Sequence, residues 1–172
     1  MEYVAQNTLM SYIIKTKKLI PEMKVKLFTK QILEGLSHLH VSKIVHTNLT
    51  SYNILLENED NIKLTYYGVA NMLEKTVYDP KKFQYLAPEL KNNDNPKYTK
   101  KTDIWSAACI VLEMATGKPL DHNNNSDQNS QLSMLPINSS KQLKSFLKKT
   151  LNDNPKQRPS VRKLLQHELF MV

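Results

Sequence analysis

The sequence predicts a mainly α-helical lobe with one small β-hairpin, and three patterns predict it. Val25, Phe28, Ile32, Leu36 and Leu39 recur at three- and four-residue steps, which gives a long helix one buried face. The short apolar runs Ile54-Leu55-Leu56 and Ile62-Lys63-Leu64 flank a polar stretch, Asn58-Glu59-Asp60-Asn61, and read as paired strands. From Thr102 to Thr116 the chain is apolar nearly all round, so that helix belongs in the middle of a domain.

Each element has its own local reason. Met1-Glu2-Tyr3-Val4 reads as an extended start. Asn7 or Thr8 caps a short helix over Leu9 to Ile14. Pro21 suits the first turn of the long helix, which runs to about His40, with Leu27 and Leu33 widening its apolar stripe. After the hairpin the periodicity is lost, so Tyr66 to Glu89 reads as irregular. Gly117 and Pro119 stop the central helix. Residues 121–133 (DHNNNSDQNSQLS) are polar and asparagine-rich, and read as a flexible loop with little to bury. A helix follows over Gln142 to Leu151, with Leu143, Phe146 and Leu147 inward and Lys144 and Lys148 toward solvent. Asn154-Pro155 breaks it, and Ser160 caps a last helix from Val161 to His167.

Composition narrows the possible functions. The 172 residues, 40% apolar and 23% charged, fit a single domain over residues 1–172 with a real core. Three glycines leave no room for a G-x-G-x-x-G nucleotide loop. The single cysteine, Cys109, forms no internal disulfide and reads as a small core residue, which places the chain in a reducing, cytoplasmic setting. No apolar run approaches the ~18 residues of a membrane span. The net charge of +8 is carried mostly by scattered lysines with no arginine-rich stripe, so the expected partner is neither nucleic acid nor membrane. His38 and His40 are explained by the partial negative charge at a helix C-terminus rather than by a metal.

The chemistry-bearing segments occur in a set order. His46-Thr47-Asn48-Leu49-Thr50-Ser51-Tyr52-Asn53 precedes the hairpin, and Tyr66-Tyr67-Gly68 follows it. Tyr85-Leu86-Ala87-Pro88-Glu89, Asp103-Ile104-Trp105-Ser106 and Asn154-Pro155-Lys156-Gln157-Arg158-Pro159 come after. In order and spacing this resembles the large C-terminal lobe of the eukaryotic protein-kinase family, with its H-R-D-L-x-x-x-N, D-F-G, A-P-E and D-x-W-S signatures. Residues 1–6 resemble the family's hinge, and no counterpart of the small lobe precedes them in this sequence.

The resemblance fails where phosphoryl transfer is done. It puts Asn48 where the family has its catalytic carboxylate, and an amide cannot take the substrate hydroxyl's proton. It puts Tyr66 at the metal-binding aspartate of D-F-G, and a neutral phenol is a poor ligand for Mg²⁺. Thr50 replaces the phosphate-neutralising lysine, and Thr47 replaces the arginine that receives an activation-loop phosphate. That argues against regulatory phosphorylation at Thr76 or Tyr78, and Tyr66 and Tyr67 read as packing plugs. Lys81-Lys82-Phe83 stands in place of a G-T-P-like approach.

By the same resemblance Asn53 is a weak metal-side candidate and Leu55 lies under the adenine site. Glu89 pairs with Arg158, and Asp103 holds the loop backbone near His46. The implied protein is a pseudokinase: no intact catalytic residues, no ATP or Mg²⁺ bound by this chain alone, and a protein partner such as an active kinase domain. Two alternatives stay open, an atypical active Ser/Thr kinase fragment and a basic anion or nucleic-acid binder.

Overall fold

The structure, a computed structural model, describes residues 7–16, 19–65, 83–91, 95–120 and 128–171. The expectations for residues 1–6, for Tyr66, Tyr67, Thr76, Tyr78, Lys81 and Lys82, and for the first part of the polar stretch fall outside these residues. Helix α1 (Leu9–Thr16) begins where Thr8 Oγ1 accepts a hydrogen bond from the Ser11 amide at 3.1 Å, and it buries Leu9, Met10 and Ile13. Helix α2 (Glu22–Val41) follows Pro21 and buries the predicted face from Val25 to Leu39. Leu33 joins that face, but Leu27 does not: it is 36% exposed, because its position on the helix turns it toward solvent.

Strands β1 (Ile54–Leu56) and β2 (Ile62–Leu64) form a two-stranded antiparallel sheet with Ile54 opposite Leu64 and Leu56 opposite Ile62. The Asn58 side-chain oxygen accepts from the amides of Asp60 and Asn61 and closes the turn. Gly35 lets β2 lie close on α2, since a Cβ there would come within 2.7 Å of Leu64 Cδ1.

The short helix α3 (Pro88–Lys91) takes the end of the stretch expected to be irregular, and Glu89 sits in its first turn. Helix α4 (Lys100–Thr116) starts two residues earlier than expected, at a reciprocal cap between Thr99 and Thr102. It ends at Gly117, whose φ of 66° is the left-handed conformation glycine adopts without strain. Trp105 and Ile110 are fully buried, and α4 packs chiefly on α2 to form the middle of the lobe.

The polar stretch is not loop throughout. Gln128–Ser133 forms helix α5, because Leu132 packs on the core and buried Gln131 presents its side-chain oxygen to the Cys109 thiol. Helix α6 (Lys141–Thr150) is capped by Ser140 and turns Leu143, Phe146 and Leu147 inward. Helix α7 (Val161–Leu164) is shorter than expected. His167 leaves it and caps a separate turn, Glu168–Phe170, with its ring nitrogen accepting from the Leu169 amide.

Candidate active-site loop

Residues 46–53 connect α2 to β1, and one buried carboxylate anchors them from below. Asp103, in the first turn of α4, accepts from the His46 amide at 2.9 Å and from the Thr47 amide at 3.1 Å. His40 Nε2 lies 2.8 Å from the same carboxylate. A charge taken out of water needs such partners, and here two amides and an imidazole supply them. The helix-terminus account of His40 is therefore replaced: its ring is buried against Asp103.

The anchoring holds Thr47 at φ 65°. A β-branched residue in that region costs on the order of 1–3 kcal/mol and persists only where its surroundings hold it. Thr47 Oγ1 is buried without a hydrogen-bond partner. The recess beside it, between Thr47, Tyr98, Thr102 and Ser106, encloses about 10 Å³. That is room for one water and not for a phosphoryl group.

The other loop residues are held by backbone. His46 is fully buried and its Nδ1 accepts from the Asn48 amide at 3.3 Å. Asn53 donates its side-chain amide to the Asn48 carbonyl at 2.8 Å, and its own carbonyl receives the Thr65 amide and hydroxyl. Thr50 is buried at the start of the turn Ser51–Asn53. Leu55 is half-buried on β1, across from Lys63. The structure thus brings His46, Asn48 and Asn53 together on one loop with Asp103 of α4 beneath it, while Tyr66 falls outside the described residues. Neutral amides and hydroxyls on this loop do not fit Mg²⁺ with phosphate, which calls for hard anionic oxygens. Among the described residues no cluster of three or more His, Cys, Asp or Glu could hold a metal ion.

Below the loop lies a second anchor. The Arg158 guanidinium meets Glu89 through two hydrogen bonds, Nη1 to Oε1 at 2.7 Å and Nη2 to Oε2 at 2.8 Å. Its Nε donates to the Asn152 carbonyl and its plane lies 4.9 Å from the Trp105 ring. Such forked geometry is what arginine supplies and lysine cannot. The Arg158 side chain is fully buried, and the Lys101 ammonium donates to its carbonyl.

A third buried network escaped the sequence reading. The Tyr85 hydroxyl donates to Glu113 at 2.9 and 3.0 Å and lies 2.8 Å from Ser51 Oγ. Glu113 also accepts from the Leu120 amide. Burial pushes its carboxyl up to about 7, and the same burial raises the Tyr85 phenol far above its ordinary range. The available signal was Glu113 itself, an acid set among the apolar residues of the second half of α4.

The comparisons agree with this architecture. The family model described as protein kinase domain matches residues 1–170. Mitogen-activated protein kinase kinase kinase A of Dictyostelium discoideum is 29% identical over 183 residues, covering 99% of this chain and 19% of that protein. Human mitogen-activated protein kinase kinase kinase 6 is 32% identical over 157 residues, covering 84% of this chain and 12% of its own length. The serine/threonine-protein kinase shk1/pak1 of Schizosaccharomyces pombe is 35% identical over 180 residues, covering 97% of this chain and 27% of its own length. The chain therefore spans between 12% and 27% of the length of these relatives. With its motifs in order, its mostly helical lobe and its anchored loop, the chain belongs to the protein kinase domain family.

Proposed function

We propose that this chain is a catalytically inactive kinase-like domain, a pseudokinase, that acts in the cytoplasm as a protein-interaction or allosteric signalling module. One observation carries the reading: the loop anchored by Asp103 presents the amide Asn48 at the position where the family motif has its carboxylate. Loss of a general base lowers a rate by roughly 10²–10⁴. Thr50 adds no charge for a phosphate, and Tyr66 adds no hard anionic oxygen for a metal. This chain binds no ATP or Mg²⁺ by itself, and its partner is another protein, such as an active kinase domain whose rate it alters.

The rival reading, an atypical active Ser/Thr kinase fragment, is favoured by the names of the relatives, which are all kinases. Radiolabelled ATP with a generic protein substrate separates the two. No transfer above a no-protein control is expected, and robust transfer removes the inactive reading. In thermal shift, Mg²⁺-ATP is expected to give no saturable rise in Tm, since a ligand bound only by the folded state would raise it.

A further inference from the structure

The loop 134–140 and helix α6 carry a surface that the kinase-like site does not use. From residue 128 to residue 152 the chain has no Asp or Glu, yet it has Lys141, Lys144, Lys148 and Lys149. The first three recur at three and four residues, so they share the outer face of α6, and all three are exposed.

At the N-terminal end of this face opens a slot of about 220 Å³ with a mixed polar and apolar lining. Leu19 and Pro21 line it from just before α2, Glu22 and Val25 from its first turn, and Pro136, Asn138 and Leu143 from the other side. Lys144 Nζ reaches the carbonyl of Ile137 at 2.9 Å, between the slot-lining Pro136 and Asn138, so the lysine row meets the rim of the slot. The Ile137 residue itself stands 97% exposed. Glu22, the acid on the slot, is turned toward its own chain and accepts from the Ser140 amide at 3.0 Å.

The slot's size and the charge beside it select the occupant. The slot is below the roughly 300 Å³ at which small-molecule pockets begin, but it admits a large apolar side chain. A bilayer presents a flat slab and leaves a recess of this kind empty. A lysine row with no acid in its segment attracts carboxylates and raises their local concentration.

We propose that this face docks an acidic peptide segment of a protein partner, an apolar side chain entering the slot and flanking carboxylates meeting Lys141, Lys144 and Lys148. The proposal rests on the protein-interaction part of the function above and not on the loss of catalysis.

The test uses the whole chain and a fluorescein-labelled peptide of Glu and Asp with one central Phe, followed by anisotropy. Charge reversal of Lys141, Lys144 and Lys148 to Glu is expected to weaken binding about tenfold or more. Reversal of the exposed Lys30, Lys97 and Lys156 changes net charge equally and is expected to cost about twofold. Replacing the peptide's Phe with Ala is expected to weaken binding about tenfold. Ile137→Glu, at a side chain that packs on nothing, is expected to weaken it several-fold while leaving the melting curve unchanged.

Equal loss in both lysine triples reduces the surface to net charge and overturns the proposal. So does indifference to the Phe, or binding to phosphatidylserine vesicles or a DNA duplex without binding to the peptide. Phosphotransfer by the chain with docking intact removes the inactive reading and leaves this one standing. Loss of docking without phosphotransfer does the reverse.

Discussion

The two ends of the buried network treat charge in opposite ways. Below, Glu89 meets Arg158, and Asp103 meets His40 and the loop amides, each ionisable group held within about 3 Å of its partners. Above, on the loop these anchors support, Asn48, Thr50 and Asn53 are neutral and bond mainly to the backbone. A buried charge whose partner is removed destabilises the fold strongly, so the lower groups are tied to folding. A half-exposed group that only served chemistry carries no such penalty, and it can become an amide while the lobe stays intact. In the inactive reading proposed above, shape and catalysis separate at this loop.

The sharpest way to break this contrast is to cut a lower anchor. Arg158→Met leaves Glu89 and the Asn152 and Lys101 carbonyls without their donor, and should cost about 3–5 kcal/mol in urea unfolding. A loss below about 1 kcal/mol would show that the pair does not hold the lobe.

Next in size is a pH effect from the third network. Glu113 carries a folded-state pKa of about 7 against an ordinary 4.5, so the folded chain binds its proton more tightly than the unfolded chain. Its contribution is complete below pH 4.5, declines as pH rises, and is gone above about 7. The decline should be on the order of 3 kcal/mol, measured as unfolding free energy across that window. Glu113→Gln should flatten this slope, and an unchanged slope would assign it to other groups.

Asp103→Asn tests the loop anchor. The substituted amide keeps one acceptor oxygen where the carboxylate used two, so one loop amide or His40 loses its partner. A loss of about 1–3 kcal/mol is expected, together with faster hydrogen exchange at the Thr47 amide. Unchanged exchange there would mean the strained loop holds itself.

The smallest effect belongs to the upper side. Asn48→Asp should change stability by no more than about 0.5 kcal/mol. Combined with Tyr66→Asp it should still give no phosphotransfer, because positioning and electrostatic stabilisation of the phosphates supply most of the catalysis in this chemistry. Robust transfer by the double variant would show that two carboxylates suffice.

Legibility followed the range of the forces involved. The hairpin bounds and the central helix could be read directly, because alternation, capping residues and a run of apolar side chains act within a few residues. Helix α5 was not legible within its asparagine-rich surroundings, since its order comes from Leu132 and Gln131 meeting the core. Leu27 matched the apolar stripe by type, but the packing of α2 left it at the edge. His40 looked like a helix-end residue until α4 brought Asp103 against it from 63 positions away.

By itself the sequence determined the helical class, the hairpin, the order of the kinase motifs and the residue types at the loop. Side-chain chemistry at a known position follows from identity alone: an amide at position 48 is no base in any fold. Only the tertiary structure decided which charges are satisfied. Burial raises the cost of an unpartnered charge, and partners such as Tyr85 for Glu113, or Glu89 for Arg158, meet only when distant segments close on α4.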